Sequence, residues 1–143
     1  MKSIEKILAI DPGKLKCGIA VVEQERVKLQ EVVMRSQLIS RLKTIIPKVD
    51  VVVLGDGTGS EIFKAELFSS FAGLNSKLVI VDEQFSTVEA RALYWQKNPP
   101  KGWRKLLPVS MQTPPVAYDD YVAVILAQRY QKMLLEKGSE FSS

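Results

Sequence analysis

Asp11 stands where a strongly apolar run stops, Ile7-Leu8-Ala9-Ile10-Asp11-Pro12-Gly13. A second such run, Cys17-Gly18-Ile19-Ala20-Val21-Val22, begins just beyond Lys14-Leu15-Lys16. A carboxylate at a strand end beside a tight turn is placed for metal or phosphate chemistry, although Asp-Pro-Gly by itself is also simply a good turn. Glu83 follows the apolar stretch Leu78–Val81, and Asp119 or Asp120 opens the last long helical pattern. Gathering such acids is costly without a cation, and hard carboxylate oxygens suit a divalent ion such as Mg2+ or Mn2+. The chain has no His, which removes His general bases, Ser-His-Asp and Cys-His schemes and His-ligated zinc. Cys17, the one cysteine, starts a strand without a His partner and reads as a core residue, not a nucleophile.

These acids need a scaffold, and the hydrophobic periodicity supplies one. Ile4–Asp11, Cys17–Glu23 and the alternating Arg26–Met34 read as strands of a meander. Ser36–Ile46 carries apolar residues at helical spacing and ends before Pro47. Val49–Leu54 is continuously apolar and predicts a central strand buried on both faces. Glu61–Ala72 predicts a helix with Ile62, Ala65, Phe68, Phe71 and Ala72 inward. Leu78–Val81 predicts another buried strand, and Ser86–Gln96 and Tyr118–Glu136 the last two helices. The fold class is therefore α/β: a mixed five-stranded sheet, three strands in a meander plus parallel strands joined by right-handed crossovers, flanked by helices. In such sheets the site lies beyond the carboxyl ends of the central strands, where Asp11, Asp56, Asp82 and Glu83 fall.

A chain of 143 residues, 46% of them hydrophobic, suits one domain with one core. That domain is placed at 1–137, ahead of a frayed tail at 138–143. No apolar run approaches the ~18 residues of a membrane span, and no signal-peptide pattern opens the chain. The expectation is a soluble cytoplasmic protein, monomer or homodimer, with no membrane partner. The net charge of +4 leans weakly toward a polyanion. Its distribution says more: between positions 91 and 118 there is no acid, yet Arg91, Lys97, Lys101, Arg104 and Lys105 are interleaved with Trp95 and Trp103 among prolines. A basic, aromatic loop of this kind can grip a phosphate backbone and stack on unpaired bases. The plainer alternative is a solvated loop whose tryptophans cover the core edge.

Ile10-Asp11-Pro12-Gly13-x-x-Lys16-x-Gly18-Ile19-Ala20 resembles the first motif of the YqgF-type proteins, relatives of the bacterial Holliday-junction resolvases. Val81-Asp82-Glu83-Gln84-Phe85-Ser86-Thr87-Val88-Glu89-Ala90 is similar to their second motif, and Asp119-x-x-x-Ala123-x-x-Leu126-x-Gln128-x-Tyr130 to their last. The resemblance spans nearly the whole chain, in order. It implies a ribonuclease H-like fold and a metal-dependent nuclease acting on structured nucleic acid, either junction-like DNA or the ends of ribosomal RNA precursors. It also implies a catalytic set drawn from Asp11, Glu83, Asp119 and Asp120. Two-metal hydrolysis needs carboxylates that hold two ions about 4 Å apart; Asp11 would bridge them, with Glu83 and a helix Asp each adding a ligand. This chain departs from the pattern in having Lys16 and Gln84 where the family carries Arg, which alone can grip a phosphate bidentately. It departs also in its Gly55–Ser60 loop and in the Pro-rich stretch at 98–117.

The choice between Asp119 and Asp120 rests on a helical wheel. Val122, Ala123, Leu126, Tyr130, Met133 and Leu134 form one arc, with Asp119 near its middle and Asp120 toward its edge. An Asp within a buried face needs a cation or hydrogen bonds, so Asp119 is favoured as the metal ligand, the alternative being that it merely caps the helix. Candidate substrate contacts are Lys14, Lys16, Ser86, Thr87, Lys101, Arg104 and Lys105. Ser86 and Glu89 also read as an S-x-x-E capping box. The Gly55–Ser60 loop could receive phosphate at a helix start, but it lacks the spacing and Lys of a P-loop. A rival class is a non-catalytic nucleic-acid- or protein-binding module on the same fold. A phosphotransferase of the actin or sugar-kinase type would need a second domain.

Overall fold

The two apolar runs flanking Pro12-Gly13 pair with each other. β1 (Lys6–Asp11) lies antiparallel to β2 (Lys16–Glu23), with Asp11 opposite Gly18. β3 (Arg26–Met34) returns antiparallel along the outer edge of β2. On the other side of β1, β4 (Val51–Gly55) and then β5 (Leu78–Val81) add in parallel, giving the order β3-β2-β1-β4-β5. The helices are α1 (Leu38–Ile45), α2 (Ser60–Ser70), α3 (Ser86–Lys97) and α4 (Asp119–Phe141). The computed structural model describes residues 5–57, 59–84, 86–106, 108, 112, 114–115 and 117–141, leaving out the side chains of 103, 104 and 137–141.

Strand alternation decides what each face of the sheet buries. Leu8 and Ile10 of β1, with Cys17 and Ile19 of β2, pack under α1 and α2 against Leu38, Leu42, Phe63 and Leu67. Ile7 and Ala9, with Ala20 and Val22, pack under α4 against Ala123, Leu126, Ala127 and Tyr130. Asp11 shares the parity of Ile7 and Ala9, and Gly18 that of Ala20, so both belong to the face covered by α4. On α3, Ala90 packs on Val122 and Ile125 of α4, and Leu93 packs against the cluster under α4.

Several expectations are corrected. α2 turns Phe63 and Leu67 inward, whereas Ile62 is 74% and Phe68 38% exposed. The helix starts at Ser60, and Phe63 and Leu67 are the residues that join the core beneath it. β5 is an edge strand, not a buried one, with Ile80 40% exposed. α1 is shorter than expected, with a 3-10 turn at each end (Arg35–Gln37 and Ile46–Lys48). β4 begins at Val51, two residues later than expected. On α4, Val122, Ala123, Leu126 and Tyr130 are buried, but Leu134 is 42% exposed. Among the described residues, no helix is long and apolar enough to cross a membrane.

Candidate functional site

The carboxyl end of β1 gathers acidic residues from three elements. Asp11 closes β1 on the α4 face, and burial is the main cause that pushes its carboxyl up to about 7; the charges of Asp119 and then Glu83 add to the shift. Among mutually repelling carboxylates the proton settles on the most enclosed, and here that is Asp11. Burial also raises Glu83, reinforced by Asp56 and Asp82 and opposed by Arg129. Asp119 is raised chiefly by burial, with Asp120 adding and the cation of Lys16 opposing.

Glycines make the approach possible. A Cβ on Gly18 would overlap the main-chain oxygen of Asp119, so the first turn of α4 lies directly on β2 beside Asp11. A Cβ on Gly55 or Gly57 would overlap the Glu83 carboxylate. The loop after β4, whose expected alternative use was phosphate binding, therefore makes room for a carboxylate. Gly18→Val is expected to force the start of α4 off the sheet, with a loss of roughly 2 kcal/mol or more, as overpacked sites show. Urea denaturation measures it, and an unchanged midpoint would contradict the close approach.

Hydrogen bonds fix the Glu83 loop. Its N–H donates to Asp56 Oδ1 (3.1 Å), Asp56 N–H to the Val81 carbonyl (3.1 Å), and Gln84 N–H to Asp82 Oδ1 (2.9 Å). From α4, Arg129 donates through Nη1 to the Asp82 carbonyl (2.7 Å) and through Nη2 to Glu89 Oε1 (3.0 Å). The β1–β2 turn is anchored by Arg35. Its Nη1 donates to the Gly13 carbonyl (3.1 Å), its main-chain N–H to Leu15 (2.8 Å), and its Nη2 to Glu66 (2.9 Å).

Asp120 is turned elsewhere. Its Oδ2 accepts from Gln30 Nε2 on β3 (3.0 Å), and its Oδ1 is buried without a hydrogen-bond partner. Lys14, Lys16 and Thr87 are exposed, and Ser86 is buried. The expected capping box does not form: Ser86 N–H donates to the Glu83 carbonyl (2.9 Å), and Arg129 takes the Glu89 carboxylate. In the basic segment Lys101 and Lys105 are exposed, while the side chains of Trp103 and Arg104 lie outside the described residues. Trp95 does not present a stacking face. It is 7% exposed and meets Tyr94 edge-on at 5.1 Å.

Sequence reasoning missed Arg35, Arg129 and Gln30, whose partners lie far away in the chain and leave no local signature. Asp56 was legible as a strand-end acid, though its hold on Glu83 was not. The donor set around Asp11 is all carboxylate, which suits a hard divalent ion. Among the described residues, however, no group of three acidic, His or Cys side chains is arranged to close on one metal ion.

No protein-family model and no curated protein matches the chain. The structure is similar to that of the fowlpox virus resolvase, solved as a complex with its substrate Holliday junction DNA. The TM-score is 0.63 at 13% identity, over 91% of this chain and 99% of that one. The fold is thus ribonuclease H-like, a mixed five-stranded sheet flanked by helices.

Proposed function

We propose that this protein is a metal-dependent nuclease that hydrolyses phosphodiester bonds in structured nucleic acid, of YqgF type as the three motifs suggest. The observation that carries the reading is the convergence of Asp11, Glu83 and Asp119, from three separate elements, on one end of the sheet. Burial first, and then the charges of Asp119 and Glu83, raise the Asp11 carboxyl. Acids perturbed by burial and by each other cluster at catalytic sites, which supports the reading. The fold it shares with a junction resolvase agrees with the reading.

Asp11, Glu83 and Asp119 are the residues that would hold Mg2+ or Mn2+. Bound there, the metal would supply an activated water and charge relief for the leaving oxygen. The chain's own residues do the rest. Asp11 must give up its proton for the site to load, so loading favours neutral or higher pH. Asp56 and Arg129 hold the main chain that carries Glu83. Lys16, which already offsets the charge of Asp119, and Lys14 offer cations to a phosphate backbone, as do Lys101, Arg104 and Lys105. A cytoplasmic location fits such a substrate.

The test is incubation with Mn2+ and a panel of four-way junction, flapped, single-stranded DNA and precursor ribosomal RNA. Cleavage of a structured substrate that chelation stops is the expected result. Tight, metal-independent binding with no cleavage of any substrate would instead select the non-catalytic module. In a binding titration with the same substrates, replacing Lys101, Arg104 and Lys105 together by Ala should flatten the slope of log affinity against log salt by up to about 3, the value for three lost phosphate contacts.

A further inference from the structure

We infer that Arg129 is a positioning residue, whose guanidinium fork on α4 fixes the loop that carries Glu83 relative to the helix that carries Asp119. The inference deepens the reading above, and its main-chain part does not depend on that reading. Arg129 grips both sides of the Glu83 segment. Nη1 takes the carbonyl of Asp82, the residue immediately before Glu83, at 2.7 Å. Nη2 takes the carboxylate of Glu89, in the first turn of α3, at 3.0 Å. A single planar group thus ties to α4 a segment of main chain that follows a strand of 4 residues at the sheet edge.

The other ties on this loop come from one direction. Asp56 reaches it from the end of β4, and the Asp82–Gln84 and Glu83–Ser86 bonds are internal to it. Only Arg129, among the contacts described, reaches it from α4. Asp119 stands ten residues earlier on the same helix, about 15 Å along its axis. α4 is buried against the sheet at Ala123, Leu126 and Ala127, all fully enclosed, so it acts as a rigid frame. Arg129 therefore sets Glu83 and Asp119 in one register, although they come from elements with no sequence proximity. The side chain is 21% exposed, and both ends of its fork meet protein acceptors. The two acceptors lie on different elements, and a fork meets both while an ammonium on a flexible stem does not hold them in one plane.

The test compares wild type with Arg129→Met and Arg129→Lys in the full chain. Three quantities are read: amide hydrogen exchange at 82–88, Mn2+ affinity by calorimetry, and kcat and KM on a structured substrate. The expected result for Arg129→Met is faster exchange confined to 82–88 and Mn2+ affinity lower by about 10- to 100-fold, as when metal ligands lose an outer support. kcat should fall while KM stays, and Arg129→Lys should recover only part of each. Unchanged exchange at 82–88 would overturn the inference. So would exchange that rises evenly over the whole chain, which marks general destabilisation, or full recovery of all three quantities by Lys. If wild type binds no Mn2+, the metal reading fails, and the exchange comparison, which uses no metal, still decides whether Arg129 positions the loop.

Discussion

Replacing Asp11 by Asn should stabilise the metal-free protein at pH 8 and at the same time end the proposed nuclease activity. The stabilisation follows from linkage. In the unfolded chain an Asp titrates near 3.9; in the fold burial and two neighbouring acids push Asp11 up to about 7. Below about pH 4 the carboxyl is protonated in both states and carries no penalty. As pH rises from about 4 to 7 the unfolded chain releases the proton and the fold retains it, so wild type loses stability through that window and then levels off. Each unit of difference is worth about 1.4 kcal/mol, so the full gap is at most about 4 kcal/mol, and relaxation of the site makes the measured value smaller. Asn has nearly the same shape and no charge to repel Asp119 and Glu83. Urea midpoints with chelator at pH 5 and pH 8 test this: the advantage of Asp11→Asn should be small at pH 5 and grow by pH 8. An advantage that does not change with pH would show that Asp11 is not held protonated. Added Mn2+ should stabilise wild type and leave the variant unmoved, since binding to the folded state raises stability by mass action. A residue that destabilises its own fold at working pH, and is relieved by a cation, is selected for chemistry rather than for packing.

The sequence reveals this site because carboxylates after apolar strands are conspicuous. Ile4–Asp11 and Val49–Leu54 read as β from their apolar runs, so Asp11 and Asp56 fell at strand ends before any coordinates. Glu83 came the same way from Leu78–Val81. What local pattern could not settle was competition between two equally apolar faces. On α2, Ile62-Ala65-Phe68 and Phe63-Leu67 both satisfy helical spacing, and only the packed fold shows that the second enters the core. β5 is as apolar as a central strand, yet sheet order leaves it at the edge. Trp95 has the composition of a stacking platform but fills the space beside Tyr94. The supports of the site were illegible for a different reason: Arg129 meets Asp82 across 47 positions and Gln30 meets Asp120 across 90. No window of sequence spans such pairs.

Asp119→Asn should lower cleavage by more than about a hundredfold, the upper range for loss of a mere outer support, while Asp120→Asn keeps most of it. Both acids sit in the first turn of α4, where the helix dipole favours negative charge to a similar degree, so position alone does not separate them. Their surroundings do. The carbonyl of Tyr118 accepts the first helical bonds, from Tyr121 (3.0 Å) and Val122 (3.3 Å), so the capping position is Tyr118 and Asp119 is not occupied as an N-cap. Its main chain is pressed onto Gly18, directly opposite Asp11 in the β1–β2 register, and its charge is the larger of the two that act on Asp11. Asp120 instead holds Gln30 across the sheet. An Asn at 120 can keep an oxygen on Gln30 and removes a charge that now bears on Asp119, so stability should change by well under about 1 kcal/mol, the worth of one neutral hydrogen bond. Mn2+ affinity and cleavage rate are measured for both variants, with denaturation midpoints to show that each is folded. Loss of activity in Asp120→Asn with retention in Asp119→Asn would reverse the assignment, and full activity in both would remove α4 from the catalytic set.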